Sequence, residues 1–154
     1  FSISLALKKS KDTIAGFVYD PIHNDFYYAF KNKGAYINKK KIRNKNLPLN
    51  GLMLTETPKK KDKTNIKQNK IARKNFRVRQ LGSSVLDMVF VASGKADIFW
   101  QENLKQWDYE SGLLIAKEAN KEILKKKIKQ NNLIIIYNKN LEKKLISKFL
   151  DSFN

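Results

Sequence analysis

Two short segments of the sequence carry the residues best suited to chemistry. Asp108 follows Trp107 and opens an apolar run with helical character, Ser111 to Ala116. Gly82, Ser83 and Ser84 stand at the start of another predicted helix. A helix N-terminus offers free backbone N–H groups and a partial positive charge, and an Asp placed there can hold a cation. The two segments together therefore suit a phosphorylated ligand bound with a metal ion.

Helix capping is the simpler interpretation of the same residues. Asp is a favoured N-cap residue, and Ser83-Ser84 followed by Asp87 is close to a capping box. Capping is the commoner role for such residues in an arbitrary chain. The rest of the sequence must therefore decide between the two interpretations.

Length and composition predict one globular domain, because 154 residues with 42% hydrophobic content can bury a sizeable core. The chain opens at Phe1 directly on an alternating strand pattern, which predicts the interior of a longer protein. It contains no cysteine, which excludes a disulfide framework and thiolate zinc sites. No signal peptide and no apolar run long enough to span a bilayer are visible. The resulting expectation is a cytoplasmic protein without a membrane partner.

The charge balance raises the question of nucleic acid, since 32 basic and 14 acidic residues give a net charge of +18. The lysines are scattered through turns and the C-terminal part, and they alternate with Asn and Ile rather than with exposed aromatic residues. This distribution predicts no nucleic-acid partner. A basic RNA-binding module remains the alternative from a different functional class.

The pattern of apolar residues predicts a mixed α/β chain in three parts. Residues 1–56 read as an antiparallel meander, with close turns between strands at 3–7, 13–19, 26–30 and 35–37. Residues 57–76 form a basic excursion that is either a frayed helix or a surface loop. Residues 77–154 alternate strands and helices, with strands at 77–81, 96–100 and 133–137 and helices through 85–92 and 108–119.

Four segments in order resemble the inositol monophosphatase family of magnesium-dependent, lithium-sensitive phosphatases. They are residues 16–22, residues 28–38, residues 79–84 with 91–97, and Trp107-Asp108 with Glu118-Ala119. The resemblance implies the layered sheet-and-helix sandwich of the sugar phosphatases. It also implies an N-terminally truncated chain, because the Glu pair and the Asp-Pro-x-Asp-Gly-Thr segment that supply most metal ligands in relatives are missing from this sequence.

The implied activity is hydrolysis of a small phosphorylated polyol, with inositol monophosphate as the first candidate and Mg²⁺ as the cofactor. By resemblance, Asp108 is the catalytic and metal-binding carboxylate and contacts a substrate hydroxyl. Gly82, Ser83, Ser84 and Gln101 are the other implied substrate-binding residues. Because several carboxylates must converge to hold magnesium, the chain alone is predicted to be inactive. Relatives are commonly dimers, so the resemblance leaves a homodimer open.

Two departures from the family pattern bear on this expectation. Gln101 stands where relatives that act on inositol phosphates commonly carry Glu, which leaves a nucleotide 3′-phosphatase, a fructose bisphosphatase and a histidinol phosphatase open as alternatives. Asn120-Lys121 replaces the usual Gly-Gly, which predicts a remodelled C-terminal turn.

The remaining polar and aromatic candidates receive structural roles. His23 is predicted to be a surface turn residue, in a turn organised by Asp20. Asp87 and Asp97 are assigned structural roles beside a helix start and a strand. Trp107 is predicted to be a packing anchor that fixes the backbone of Asp108. A sheet edge left open at 3–7 predicts poor solubility.

Overall fold

The computed structural model describes residues 1–43, 51–57, 63–128, 131–141 and 143–153. The first of its two sheets is an antiparallel meander whose five strands neighbour one another in chain order. These strands are β1 (Ile3–Lys9), β2 (Asp12–Asp20), β3 (Asp25–Phe30), β4 (Gly34–Ile37) and β5 (Lys40–Lys41). Of the segment 1–56 predicted as a meander, β1 to β5 form this sheet, and β1 lies at its edge.

The second sheet has the strand order β7-β6-β8-β10-β9. Its strands are β6 (Leu52–Leu54), β7 (Arg77–Arg79), β8 (Ile98–Glu102), β9 (Glu122–Ile128) and β10 (Asn131–Tyr137). Strand β6 runs parallel to both of its neighbours, while the pairs β8-β10 and β10-β9 are antiparallel. Although β6 falls within the segment 1–56, it therefore belongs to this second sheet.

Four helices complete the described part of the chain: α1 (Lys63–Asn75), α2 (Ser84–Ser93), α3 (Gln106–Glu118) and α4 (Lys143–Leu150). A short 3₁₀ turn, Asp151–Phe153, follows α4. Helix α2 ends at Gly94, whose φ of 82° is left-handed and whose N–H donates back to the last turn. Helix α1 accounts for most of the predicted basic excursion, and residues 58–62 of that excursion lie outside the described residues.

The elements stack as sheet, helices, sheet, helices. Helices α2 and α3 pack between the two sheets, in a core that includes Tyr27, Met88 and Ile115. Helices α1 and α4 cover the other face of the second sheet. Strand β8 contributes to both cores: Phe99 packs in the core with α2 and α3, and Trp100 packs in the core with α1 and α4. The predicted mixed, layered α/β sandwich is confirmed.

The outer face of the first sheet is apolar and carries no layer from the described residues. Ile3, Leu5 and Leu7 of β1 are each more than half exposed, and Phe26 and Phe30 of β3 are exposed on the same face. The edge strand also leaves one side of its backbone unpaired within the described chain. Exposed apolar faces of this kind usually mark an interaction surface.

Two glycines set the position of α3 between its neighbours. A Cβ on Gly16 of β2 would lie 2.9 Å from the backbone oxygen of Ser111 and 3.0 Å from its Cα. A Cβ on Gly112 would lie 2.7 Å from Sδ of Met88 in α2. Helix α3 can therefore approach β2 and α2 this closely only because neither glycine carries a side chain.

Replacing Gly16 with Ala is expected to destabilise the protein by about 1–3 kcal/mol, the usual cost of overpacking a well-packed contact. The clash is with backbone atoms of Ser111, so no side-chain rotation can relieve it. Urea unfolding of the two proteins measures the difference. Equal or higher stability of the alanine variant would show that α3 does not sit this close to β2.

Candidate active site

The bend before α2 consists of Gly82–Ser84. The φ of Gly82 is 83°, in the left-handed region that favours glycine. Ser83 is the N-cap residue, but its side chain makes no capping hydrogen bond. Its Oγ lies 2.9 Å from Oγ of Ser2, and Oγ of Ser84 donates to Oε1 of Gln101 at 2.7 Å. The capping-box interpretation of Ser83-Ser84 is therefore not what the structure shows, because both hydroxyls bond to other elements.

Helix α3 begins at Gln106, two residues before the predicted start, and Asp108 occupies its third position. Oδ2 of Asp108 accepts the backbone N–H of Lys105 at 2.9 Å, and the Asp108 N–H donates to the Lys105 carbonyl oxygen at 2.9 Å. The carboxylate thus caps the helix start from the third helical position, whereas the capping interpretation placed it at the N-cap, which is Lys105. Asp108 is nevertheless half-buried and faces a chamber.

That chamber, called here the first chamber, has a volume of about 300 Å³ and brings Asp108 together with the bend. Its walls are Ser2, Ser4, Gly82, Ser83, Ser84, Val85, Trp107 and Asp108. Besides the Ser2–Ser83 pair, Oγ of Ser4 lies 2.7 Å from Oγ of Ser111 in α3. These two hydroxyl pairs tie β1 to α3 and the residue before β1 to the start of α2, so all three elements contribute to the shape of the chamber.

Trp107 does not have the predicted role. Its side chain is 76% exposed, so it cannot anchor the backbone of Asp108 by packing. As the second residue of α3, it lies on the solvent side of the first turn and at the mouth of the first chamber. The helix start is instead held by the hydrogen bonds between Lys105 and Asp108.

Gln101 lies in a neighbouring second chamber of about 200 Å³. The two chambers share the bend, and the second adds Thr55, Glu56, Thr57, Gln80, Asp87 and Gln101. Besides accepting from Ser84, the Gln101 amide donates from Nε2 to Oε2 of Glu56 at 3.1 Å. The structure therefore brings Asp108 and the bend together, and it places Gln101 on the other side of that bend.

Asp87 is a buried acidic residue of this region. It is 2% exposed, and its Oδ1 has no hydrogen-bond partner among the described residues. Burial raises the pKa of this carboxyl to about 8. Its position within the buried run Val85 to Val89 of α2 was the available signal, because an acidic residue on such a face is rare.

Asp97 and Asp20 have the structural roles predicted for them. Asp97 accepts the N–H of Leu52 at 2.8 Å, which fixes the start of β6. Oδ1 of Asp20 accepts the N–H groups of Ile22 and His23, and its Oδ2 lies 2.7 Å from Nδ1 of the largely exposed His23. The only histidine is thus a surface turn residue.

The C-terminal end of α3 is also held by contacts that sequence reasoning missed. The two oxygens of Glu118 accept the N–H groups of Asn32 and Gly34 at 2.8 Å each, which clamps the β3–β4 turn onto the helix. Asn120 adopts a φ of 60°, so an Asn takes the left-handed position that a glycine would fill. Whether the turn is remodelled relative to the family, as the sequence predicts, stays a prediction.

The described residues do not by themselves complete a magnesium site. Asp108 is the only carboxylate that lines the first chamber. No group of three or more His, Asp or Glu side chains that could hold a metal ion occurs in the described ranges. Magnesium requires near-octahedral oxygen coordination, which one carboxylate and a few hydroxyls do not provide.

None of the described helices has the length and apolarity needed to cross a membrane.

Comparison with known proteins points to one family. Residues 1–152 match the profile of the inositol monophosphatase family. The inositol-1-monophosphatase of Caulobacter vibrioides is 32% identical over 132 residues, which cover 80% of this chain and 51% of that protein. The Nus factor SuhB of Pasteurella multocida is 35% identical over 125 residues, which cover 77% of this chain and 47% of that protein.

Solved structures show the same fold. The extragenic suppressor protein suhB of Bartonella henselae superposes with a TM-score of 0.83 at 26% identity, over 96% of this chain and 61% of that one. The staphylococcal SaIMPase-II with bound inositol monophosphate gives a TM-score of 0.81 at 25% identity, over 97% of this chain and 61% of that one. The chain spans about half the length of the curated relatives it matches. By the match along nearly its whole length, the chain belongs to the inositol monophosphatase family.

Proposed function

We propose that this chain forms the substrate-facing part of a phosphomonoesterase that hydrolyses a small phosphorylated polyol, with inositol monophosphate as the first candidate. The observation that carries the proposal is that Asp108 and the Gly82–Ser84 bend line one chamber. Free N–H groups at the starts of α2 and α3 favour an anionic group there. Membership of the family supports a phosphatase activity for the complete active site.

The proposed cofactor is Mg²⁺, with Asp108 as one of its ligands. The other carboxylates would come from a segment outside this chain's sequence, on the same or a separate polypeptide. The open edge of β1 supports this, because Ser2 and Ser4 beside that edge line the first chamber. A segment that pairs along β1 and covers its exposed apolar face would border the chamber directly.

A chimaera tests the proposal. The part of the Caulobacter vibrioides inositol-1-monophosphatase that this chain does not match is joined to residue 1 of the chain, and phosphate release from inositol monophosphate is measured in magnesium. We expect magnesium-dependent turnover by the chimaera. A folded chimaera that releases no phosphate from any monoester tested would contradict the proposal.

The chain on its own is expected to release no phosphate above background, because its described residues offer one carboxylate in the first chamber, where a metal cluster needs several. The same assay on the purified 154-residue chain provides the measurement. Phosphate release that depends on Asp108 in the chain alone would show that the described residues suffice for catalysis.

The exposed apolar face of β1 is expected to make the chain alone poorly soluble.

The alternatives within the superfamily are compared on the same chimaera. A nucleotide 3′-phosphate, fructose 1,6-bisphosphate and histidinol phosphate are assayed beside inositol monophosphate. The reason to include them is that the Gln101 amide is already hydrogen-bonded to Ser84 and Glu56, so it offers no charged acceptor to ring hydroxyls. The substrate with the highest kcat/KM identifies the class.

One observation favours the second candidate, a basic RNA-binding module. Lys125, Lys126 and Lys127 are all exposed on β9, at the edge of the second sheet. Filter binding of single-stranded RNA across a range of salt concentrations tests it. Tight binding that survives physiological salt and is lost when the three lysines are replaced by Gln would support this function, whereas weak binding that salt abolishes would exclude it.

A further inference from the structure

Two buried polar groups in the wall of the second chamber lack partners. Asp87 is 2% exposed and Thr55 is 1% exposed, and both line the chamber. Oδ1 of Asp87 and Oγ1 of Thr55 have no hydrogen-bond partner among the described residues. A buried polar atom without a partner costs about 1–3 kcal/mol, so two in one wall require an explanation.

The chamber is rich in hydrogen-bond acceptors and carries no basic side chain. Its nine lining residues include two acids, Asp87 and Glu56, and none is Lys, Arg or His. The Gln101 amide has its oxygen and its nitrogen engaged by Ser84 and Glu56. Asp87 and Thr55 can both accept a hydrogen bond, and a protonated primary amine has three donors and no acceptor.

A charged donor suits the chamber better than a hydroxyl or a divalent metal ion. Burial alone keeps the pKa of Asp87 raised, and no cationic side chain offsets it. An ammonium group would supply the missing countercharge, and hydrogen bonds between charged groups are about twice as strong as neutral ones. A divalent metal is disfavoured because no cluster of three acidic or histidine side chains exists in the described part of the chain.

We propose that the second chamber binds a protonated primary amine on the leaving group of the substrate, so that the preferred substrate is the phosphate monoester of an aminated polyol. The phosphate lies against Asp108 and the bend in the first chamber, and the amine lies against Asp87 and Thr55. Gly82, Ser83 and Ser84 form the wall common to both chambers, so one small molecule reaches both. The catalytic half of this statement rests on the proposed function, whereas amine binding does not.

The binding test compares serinol with glycerol, which differ only by an amine in place of the central hydroxyl. Titration followed by NMR, on the 154-residue chain and on the chimaera, is expected to show serinol bound about 10-fold more tightly than glycerol. Asp87→Asn should reduce serinol binding to the level of glycerol. Asp151→Asn makes the same Asp-to-Asn substitution at an exposed residue far along the chain and should leave both affinities unchanged. Equal affinities for the two probes, a preference that Asp87→Asn retains, or K⁺ that occupies the chamber in place of serinol would each overturn the proposal.

The catalytic test uses serinol phosphate and glycerol 1-phosphate with the chimaera. We expect a kcat/KM ratio of about 10 in favour of the amine, and Asp87→Asn should lower this ratio towards one. If the chimaera hydrolyses both esters and Asp87→Asn does not change their kcat/KM ratio, the amine site is refuted and the phosphatase function is supported. If it hydrolyses neither ester but binds serinol through Asp87, the amine site stands and the phosphatase function falls.

Discussion

Replacing Asp108 with Asn in the chimaera is expected to lower kcat/KM for phosphate release by at least about 100-fold, because loss of even an outer-shell partner of a metal ligand typically costs 10–100-fold. Asn has the same shape but lacks the negative charge that a cation and a substrate hydroxyl would contact in the first chamber. The assay with inositol monophosphate in magnesium measures the change.

The control for this prediction separates catalysis from helix capping. Oδ2 of Asp108 accepts the N–H of Lys105, and the Asn side-chain oxygen can accept the same hydrogen bond. Loss of a cap typically costs about 1 kcal/mol, so the variant should remain folded under assay conditions. Asp151→Asn again makes a matched change of charge at a remote exposed site. If Asp108→Asn keeps most of its activity, the carboxylate is only a cap and the proposed function loses its main support.

Local sequence predicted the fold wherever periodicity and turn residues agree. Helix α2 was recognisable because its apolar residues recur on one face and Gly94 ends it. The apolar run at 133–137 predicted a buried strand, and its residues Leu133 to Ile136 are buried in β10. Strand β9 was not predicted, because its Lys125–Lys127 run lacks the usual strand residues. Lysine is common on edge strands, where it discourages pairing with other chains, and β9 lies at the edge.

The first chamber was largely predictable and the second was not. Asp108 and the bend belong to helix starts, which short motifs reveal, and the fold brings the two starts together. Trp107 was misassigned because sequence does not show which side of the first turn faces solvent. The unpartnered Oδ1 of Asp87 could not be predicted from sequence, because it depends on how residues after β6, in α2 and in β8 meet around it, which is a property of tertiary packing.

The stability of the chain is expected to fall as pH rises through the range in which Asp87 would normally ionise. Its pKa is about 8 in the folded chain and 3.8 in its ordinary state, and burial is the cause. Between these values the folded state keeps a proton that the unfolded state releases, so the unfolded state gains relative stability as pH increases. The full difference corresponds to at most roughly 5–6 kcal/mol, since each pKa unit is worth about 1.4 kcal/mol.

Asp87→Asn removes this titration. Its advantage in unfolding free energy over the parent chain is therefore expected to grow by up to about 4 kcal/mol between about pH 5 and about pH 8. Urea unfolding at several pH values measures both proteins, with Asp151→Asn as the control that should follow the parent. Parallel curves for Asp87→Asn and the parent would show that Asp87 is not held in its neutral form.

The same measurement connects stability to the amine site. A ligand that binds only the folded state stabilises it by an amount that grows with its concentration relative to Kd. Serinol at about pH 8 should therefore raise the stability of the parent chain and narrow its difference from Asp87→Asn, whereas glycerol should affect both proteins equally. None of the residues that line the second chamber provides a positive charge beside Asp87. If the substrate's ammonium group supplies that charge, the lower stability caused by Asp87 at neutral pH is explained by its role as a binding group.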